Sequence, residues 1–163
     1  MKKKSLKPLM SSASDDWCTP LDVLGRVRRI GSIAYDPCSN ANSIVAAECA
    51  SSGYKRDGLQ EGFARVGLNY VNPPYSKISA WMDKCDSEAH ARGAEIIALV
   101  PSRTDTQWFK RCWQADALCF WEGRLTFLGA KHPAPFPSAI VYWGYNKYRF
   151  ADAFADAGEI VIR

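Results

Sequence analysis

Several features are scarce in this sequence, and each scarcity closes off a class of function. No run approaches the roughly 18 consecutive apolar residues that a membrane-spanning helix needs. Histidine occurs only at His90 and His132, and none of the six cysteines forms a C-x-x-C pair. A zinc site therefore has poor material, and no metal is expected. Cys18, Cys38, Cys49, Cys85, Cys112 and Cys119 read as reduced thiols of an intracellular protein. The basic opening Met1-Lys2-Lys3-Lys4 leads into no apolar stretch, so a secretory leader is not expected. Net charge is modest: 21 basic against 17 acidic residues give +4, which suits a polyanion partner without demanding one.

What is present is an ordinary globular composition. A chain of 163 residues, 47% apolar and 23% charged, excludes disorder throughout and fits one domain. Residues 1–14 are basic, Ser-rich and without periodicity. They read as a flexible basic arm, leaving 15–163 as a single domain.

Beyond the arm, strand and helix patterns alternate. Thr19-Pro20 reads as an N-cap and first helical residue, with the helix running through Leu21, Val23, Leu24 and Val27 to a stop at Gly31. Short strands are expected at Ser32–Tyr35, Leu68–Val71, Glu95–Val100, Ala117–Trp121, Ala139–Trp143 and Ile160–Ile162. Helices are expected at 43–51, at 77–92 with Ile78, Trp81, Met82, Cys85 and Ala89 on one face, at 105–115 and around 148–157. Gly123–Phe127 reads as part of a hairpin or strand, followed by an irregular loop to Pro137. Such alternation predicts an α/β sheet with helices on both faces, whose ligands bind beyond the carboxyl ends of the strands. Three polar clusters fall there: Asp36-Pro37, Asn72-Pro73-Pro74-Tyr75 and Pro101-Ser102-Arg103.

The second cluster carries the most chemistry. Asn72 precedes proline and is held extended, and two successive prolines supply carbonyls without N–H groups. The Asn72 side-chain oxygen adds an acceptor and Tyr75 a flat aromatic face. A planar NH2 group, such as the exocyclic amine of a nucleobase, matches that set. Fixed oxygens accepting its hydrogens favour a pyramidal nitrogen and stabilise the charge that develops as it attacks an electrophile.

Asn72-Pro73-Pro74-Tyr75 resembles the catalytic motif of amino-methyltransferases that use S-adenosylmethionine. The wider pattern is similar to the phage-type DNA N6-adenine methyltransferases. It comprises Trp17-Cys18-Thr19-Pro20, Asp36-Pro37-Cys38, Asp57-Gly58-Leu59, the Asn72 motif, Leu99–Thr106, Gly123–Phe127 and Ala134–Pro137, in that order over most of the chain. The resemblance implies a Rossmann-like class I methyltransferase sheet, mostly parallel with a late antiparallel strand. It implies methyl transfer to adenine N6 in DNA, with Asn72, Pro73, Pro74 and Tyr75 at the reacting centre. Asp36, Pro37, Cys38 and Asn40 would form the cofactor loop, which lacks the usual glycine-rich turn. Asp57 would lie beside the cofactor's adenine, and Thr19-Pro20 near its methionine end. A flipped base would stack on Tyr75, with Phe127, Trp121 and Phe136 in reserve. Arg103, Arg124 and Lys131, with Lys110, Arg111 and the arm lysines, would meet DNA phosphates. The phage-type resemblance further implies a phage or prophage gene product in a bacterial cytoplasm. Two other readings stay open on the residues alone. One is transfer to another planar NH2 (cytosine N4, an RNA base or a glutamine amide), and the other is a non-catalytic nucleic-acid-binding module.

Overall fold

A computed structural model describes residues 17–47 and 57–163. The expected arm at 1–14 and the second half of the expected 43–51 helix lie outside the described residues. Helix α1 (Leu21–Ile30) forms because Val23, Leu24, Val27 and Ile30 recur at helical spacing and are all buried. Pro20, not Thr19, stands at its N-cap position, and no side chain caps it. The Thr19 hydroxyl instead lies 2.8 Å from that of Tyr70, so a long-range bond takes the group that a capping rule assigns locally.

Six strands make one sheet: β1 (Ile33–Tyr35), β2 (Leu68–Val71), β3 (Glu95–Pro101), β4 (Ala117–Trp121), β5 (Ser138–Trp143) and β6 (Gly158–Ile162). Their spatial order is β1-β2-β3-β5-β4-β6. The β1–β2 and β2–β3 ladders are parallel, and the other three are antiparallel. The parallel half matches expectation, but two strands rather than one are reversed, and β5 slots between β3 and β4. Physically, residues 122–137 join β4 to its antiparallel neighbour β5 without a crossover helix, which only parallel neighbours require. Pro101, expected to close β3, is its last residue, opposite Ser138.

Alternation along the strands builds two cores. One face, with Tyr70, Ile97, Leu99, Ile140 and Tyr142, packs under α1 and α4 (Lys147–Phe154). The other, with Val71, Ile96, Ala98, Val100 and Val141, packs under α2 (Ile78–Arg92) and α3 (Phe109–Cys112). The expected 105–115 helix shrinks to α3, flanked by turns. Residues 43–47 are not helical, and Ala46 sits at φ 51°, a left-handed conformation that a helix cannot contain. Gly123–Phe127 joins no ladder; Leu128 alone forms an isolated bridge to Cys18.

Helix α2 follows a 3-10 turn at Tyr75–Lys77 and stops at Gly93, whose φ of 69° is the left-handed C-cap conformation. Glu88, not Ala89, completes its buried set. Burial pushes the Glu88 carboxyl up, but the Lys84 ammonium at 2.8 Å and the Phe63 N–H at 3.3 Å outweigh it and hold its pKa below the usual value. That carboxylate anchors the segment preceding β2 to α2. The same segment touches the β1 loop through Gly58, where a Cβ would lie 2.2 Å from the Pro37 carbonyl oxygen and 2.8 Å from the Trp81 ring. Gly58→Ala is therefore expected to lower the unfolding free energy by about 1–3 kcal/mol in urea titrations.

Candidate active site

The carboxyl ends of β1 and β2 open into a cleft with about 540 Å³ of empty space, part of it open to solvent. Asp36 follows β1, Asn72 follows β2, and Trp17, Cys18 and Thr19 approach from the segment before α1. Cys38, Asn40 and Pro74 complete much of the wall, with Ser43 and Val45 beyond them. Six of the sequence-predicted residues thus share one cavity: Thr19, Asp36, Cys38, Asn40, Asn72 and Pro74.

The Asn72 carboxamide is pinned at one end. Its Nδ2 donates to the Trp17 carbonyl, and to the Thr19 hydroxyl at 3.3 Å. A backbone carbonyl can only accept, so the NH2 must face Trp17 and the oxygen must face the other way. That Oδ1 is buried and has no partner among the described residues. Leaving such an acceptor unmade costs about 1–3 kcal/mol, an expense a stability-optimised core avoids. Tyr70 and Thr19 extend the arrangement by their 2.8 Å contact, which places a fully buried phenol behind the hydroxyl that meets Asn72. Burial holds the Tyr70 phenol well above its usual pKa, so it stays neutral.

Asp36 is the second unusual group. Its side chain is buried, and its two oxygens accept from the Cys38 N–H at 3.0 Å and the Ser43 hydroxyl at 3.1 Å. No cation pairs with it among the described residues. Burial raises its pKa from 3.8 to about 6, against the two hydrogen bonds. The carboxylate is therefore under-compensated, and a bound cation would relieve it. Cys38, beside it, is pushed far above the ordinary thiol range by burial and by the Asp36 charge, so it is a neutral wall residue.

The remaining predicted residues fall elsewhere. The Pro74 carbonyl accepts the Lys77 N–H at 3.0 Å, so it is already engaged, whereas Asn72 Oδ1 has no partner among the described residues. Pro73 is buried beside it. Tyr75 is half-buried, its ring edge-on to Phe136 at 5.3 Å and its hydroxyl buried without a partner among the described residues. Pro20 and Pro37 flank the cleft in sequence without lining it. Asp57 is exposed and not in the cleft; its carboxylate accepts the Leu59 N–H at 3.1 Å. Arg103, Arg124 and Lys131 are exposed, and none forms an ion pair among the described residues. Phe127 and Phe136 are buried behind Trp17, at 4.8 and 6.0 Å, whereas Trp121 lies under the Arg26 guanidinium.

Sequence reasoning missed Trp17 and Tyr70 as parts of the site, and Ser43 as the partner of Asp36. Tyr70 had a signal, since strand alternation puts residues 70 and 72 on one face. Trp17 acts through its carbonyl and Ser43 through a non-helical turn, which leave no side-chain pattern to read. Among the described residues no group of three or more His, Cys, Asp or Glu side chains could hold a metal ion. Nor is any helix among them long and apolar enough to cross a membrane.

A family model described as DNA N-6-adenine-methyltransferase (Dam) matches residues 7–138, which include every element of this cleft. No curated protein matches the chain.

Asp36 also makes stability depend on pH in a defined direction. Its folded pKa lies above the unfolded value, so the native state holds the proton more tightly. Asp36's contribution is most favourable below about pH 3.8 and is lost as pH rises through about 6. The resulting cost at neutral pH is about 3 kcal/mol. Asp36→Asn is expected to raise the thermal midpoint at pH 7.5 by several degrees and to flatten its fall between pH 4 and 6, read by calorimetry.

Proposed function

The chain belongs to the DNA N-6-adenine-methyltransferase (Dam) family, and from that premise we propose how its cleft residues divide the work. The protein is an enzyme that transfers a methyl group from S-adenosylmethionine to the N6 amino group of adenine in DNA. When bound, that cofactor supplies an electrophilic methyl group on a cationic sulfur. Asp36 complements its cationic end or accepts from its amino group, with Pro37, Cys38 and Asn40 shaping the loop. The support is the buried carboxylate lining the cleft, hydrogen-bonded but with no cation beside it among the described residues. Thr19 and Pro20 border the methionine end, and Asp57, in the turn that Gly58 seats against Pro37, lies beside the cofactor's adenine.

Asn72 Oδ1 accepts one N6 hydrogen, and the Pro73 carbonyl is read as taking the other. Both oxygens favour a pyramidal amine and stabilise the positive charge that grows on it. The proton then lost from N6 passes to water. No side chain here needs to act as a strong base, because the electrophile is already cationic. Adenine reaches the cleft only by leaving its duplex stack, and Tyr75 is read as its stacking face. Arg103, Arg124 and Lys131 hold the phosphates. The strand order supports a Rossmann-like class I methyltransferase sheet within a single domain at 15–163. The phage-type resemblance supports a phage or prophage enzyme working in a bacterial cytoplasm.

One observation carries this reading: a buried amide oxygen, fixed from behind and without a partner among the described residues, lines the same cleft as a buried carboxylate that no cation pairs. Asn72→Ala is expected to lower kcat for labelled-methyl transfer to DNA by about 100-fold or more, with cofactor affinity nearly unchanged. An unchanged rate removes Asn72 from the reacting centre. Thr19→Val should lose about tenfold in kcat through a loosened Asn72, and Thr19→Ser should recover most of it. Arg124→Ala should weaken DNA binding and flatten its salt dependence while cofactor affinity, followed by calorimetry, stays constant.

A further inference from the structure

The sheet has two edges, and they are built differently. Strand β1 at one edge is three residues long and fully buried, at 5%, 8% and 5% exposure. Strand β6 at the other has five residues, pairs with β4 alone, and leaves Val161 and Ile162 exposed at 37% and 39%. The Arg163 N–H donates to the Asp116 carbonyl and the Glu122 N–H to the Ala157 carbonyl, each at 2.9 Å. By the alternation of an antiparallel ladder, Glu159 and Val161 therefore turn their backbone groups toward β4, whereas Gly158, Ile160 and Ile162 turn theirs outward. No lysine, proline or bulge blunts this strand, the devices that usually protect an edge from pairing.

The charges flanking β6 are ordered. Glu122, Asp156 and Glu159 line a cavity at its start. At its end stand Arg163 and Lys147, the latter donating to the Arg163 carbonyl. Asp156 is paired with Arg26, but neither Glu159 nor the Arg163 guanidinium has an ion-pair partner among the described residues. A strand that is acidic at one end and basic at the other complements an antiparallel copy of itself.

We propose that β6 is a self-association edge, with two copies of this chain pairing β6 to β6 about a two-fold axis at Val161. In that register Ile160 faces Ile162 of the other copy, and the outward backbone groups of each pair exchange hydrogen bonds. Glu159 falls opposite Arg163 of the other copy at a non-hydrogen-bonded position, where side chains approach most closely. A register centred one residue earlier loses that ion pair, so the charges select the alignment. The contact is isologous, so each interaction occurs twice. The two sheets become one continuous sheet, and both clefts, at the β1 and β2 ends, remain open at its far sides.

The test is sedimentation velocity on the full chain without DNA over a concentration series, with methyl transfer to DNA as the control for folding. The wild type should move from monomer to dimer as concentration rises. Glu159→Arg and Arg163→Glu should each raise the dimer dissociation constant about tenfold or more, while the double exchange restores it to within a fewfold. Ile162→Pro removes an outward N–H without touching the β4 ladder, and should also leave a monomer active on DNA. A wild type that stays monomeric at every concentration overturns the proposal. So does a dimer whose affinity none of these variants changes.

Discussion

The site depends on how one carboxamide is held. Asn72 has a donor end and an acceptor end, and the Trp17 carbonyl can engage only the donor. Fixing the NH2 in this way decides which atom the cleft is left with. Thr19 reinforces the orientation, and Tyr70 holds Thr19, so the three groups connect the segment before α1, strand β2 and the loop beyond it. An acceptor prepared in this manner needs no reorganisation when positive charge grows on a substrate amine, which is where preorganised dipoles contribute most. The aromatic wall of Phe127 and Phe136 supports the same segment from behind through the Trp17 ring.

Asp36 and Asn72 share a logic. Each is a buried polar group with less compensation than a stable core provides, and both line a single cleft. Asn72 Oδ1 lacks a hydrogen-bond partner and Asp36, though hydrogen-bonded, lacks a countercharge among the described residues, and a ligand in the one cleft could supply both. A cation would complete Asp36, and an amine hydrogen would complete Asn72. Methyl transfer from a sulfonium to an exocyclic amine, the family's reaction, would bring both to one place. The cost in stability is borne by the packed sheet, whose central β3 is almost wholly buried between two cores.

Much of this was legible in the residues. Leu68–Val71 appears with the expected boundaries because a short apolar run ends at two prolines that cannot extend a ladder. The placement of Asp36 and Asn72 at one rim follows from strand–helix alternation alone. What was hidden depends on partners distant in sequence. Thr19 looks like a cap because the rule sees only its neighbours, whereas Tyr70 lies 51 residues away. Glu88 interrupts an apolar stripe and is buried because Lys84 and the Phe63 N–H satisfy it. Residues 43–47 carry a helical apolar pattern, yet Ser43 is drawn to Asp36 and Ala46 turns left-handed. Asp57, expected beside the cofactor's adenine, lies outside the cleft with its carboxylate accepting the Leu59 N–H.

The most direct test is a structure of the protein with a non-transferring cofactor analogue and a DNA duplex containing the target adenine. The account predicts an extruded adenine whose N6 lies about 3 Å from Asn72 Oδ1, with the Asn72 NH2 still on the Trp17 carbonyl and the cofactor's cationic end facing Asp36. An adenine held away from Asn72, or a carboxamide turned so that its oxygen meets another protein group, would contradict it.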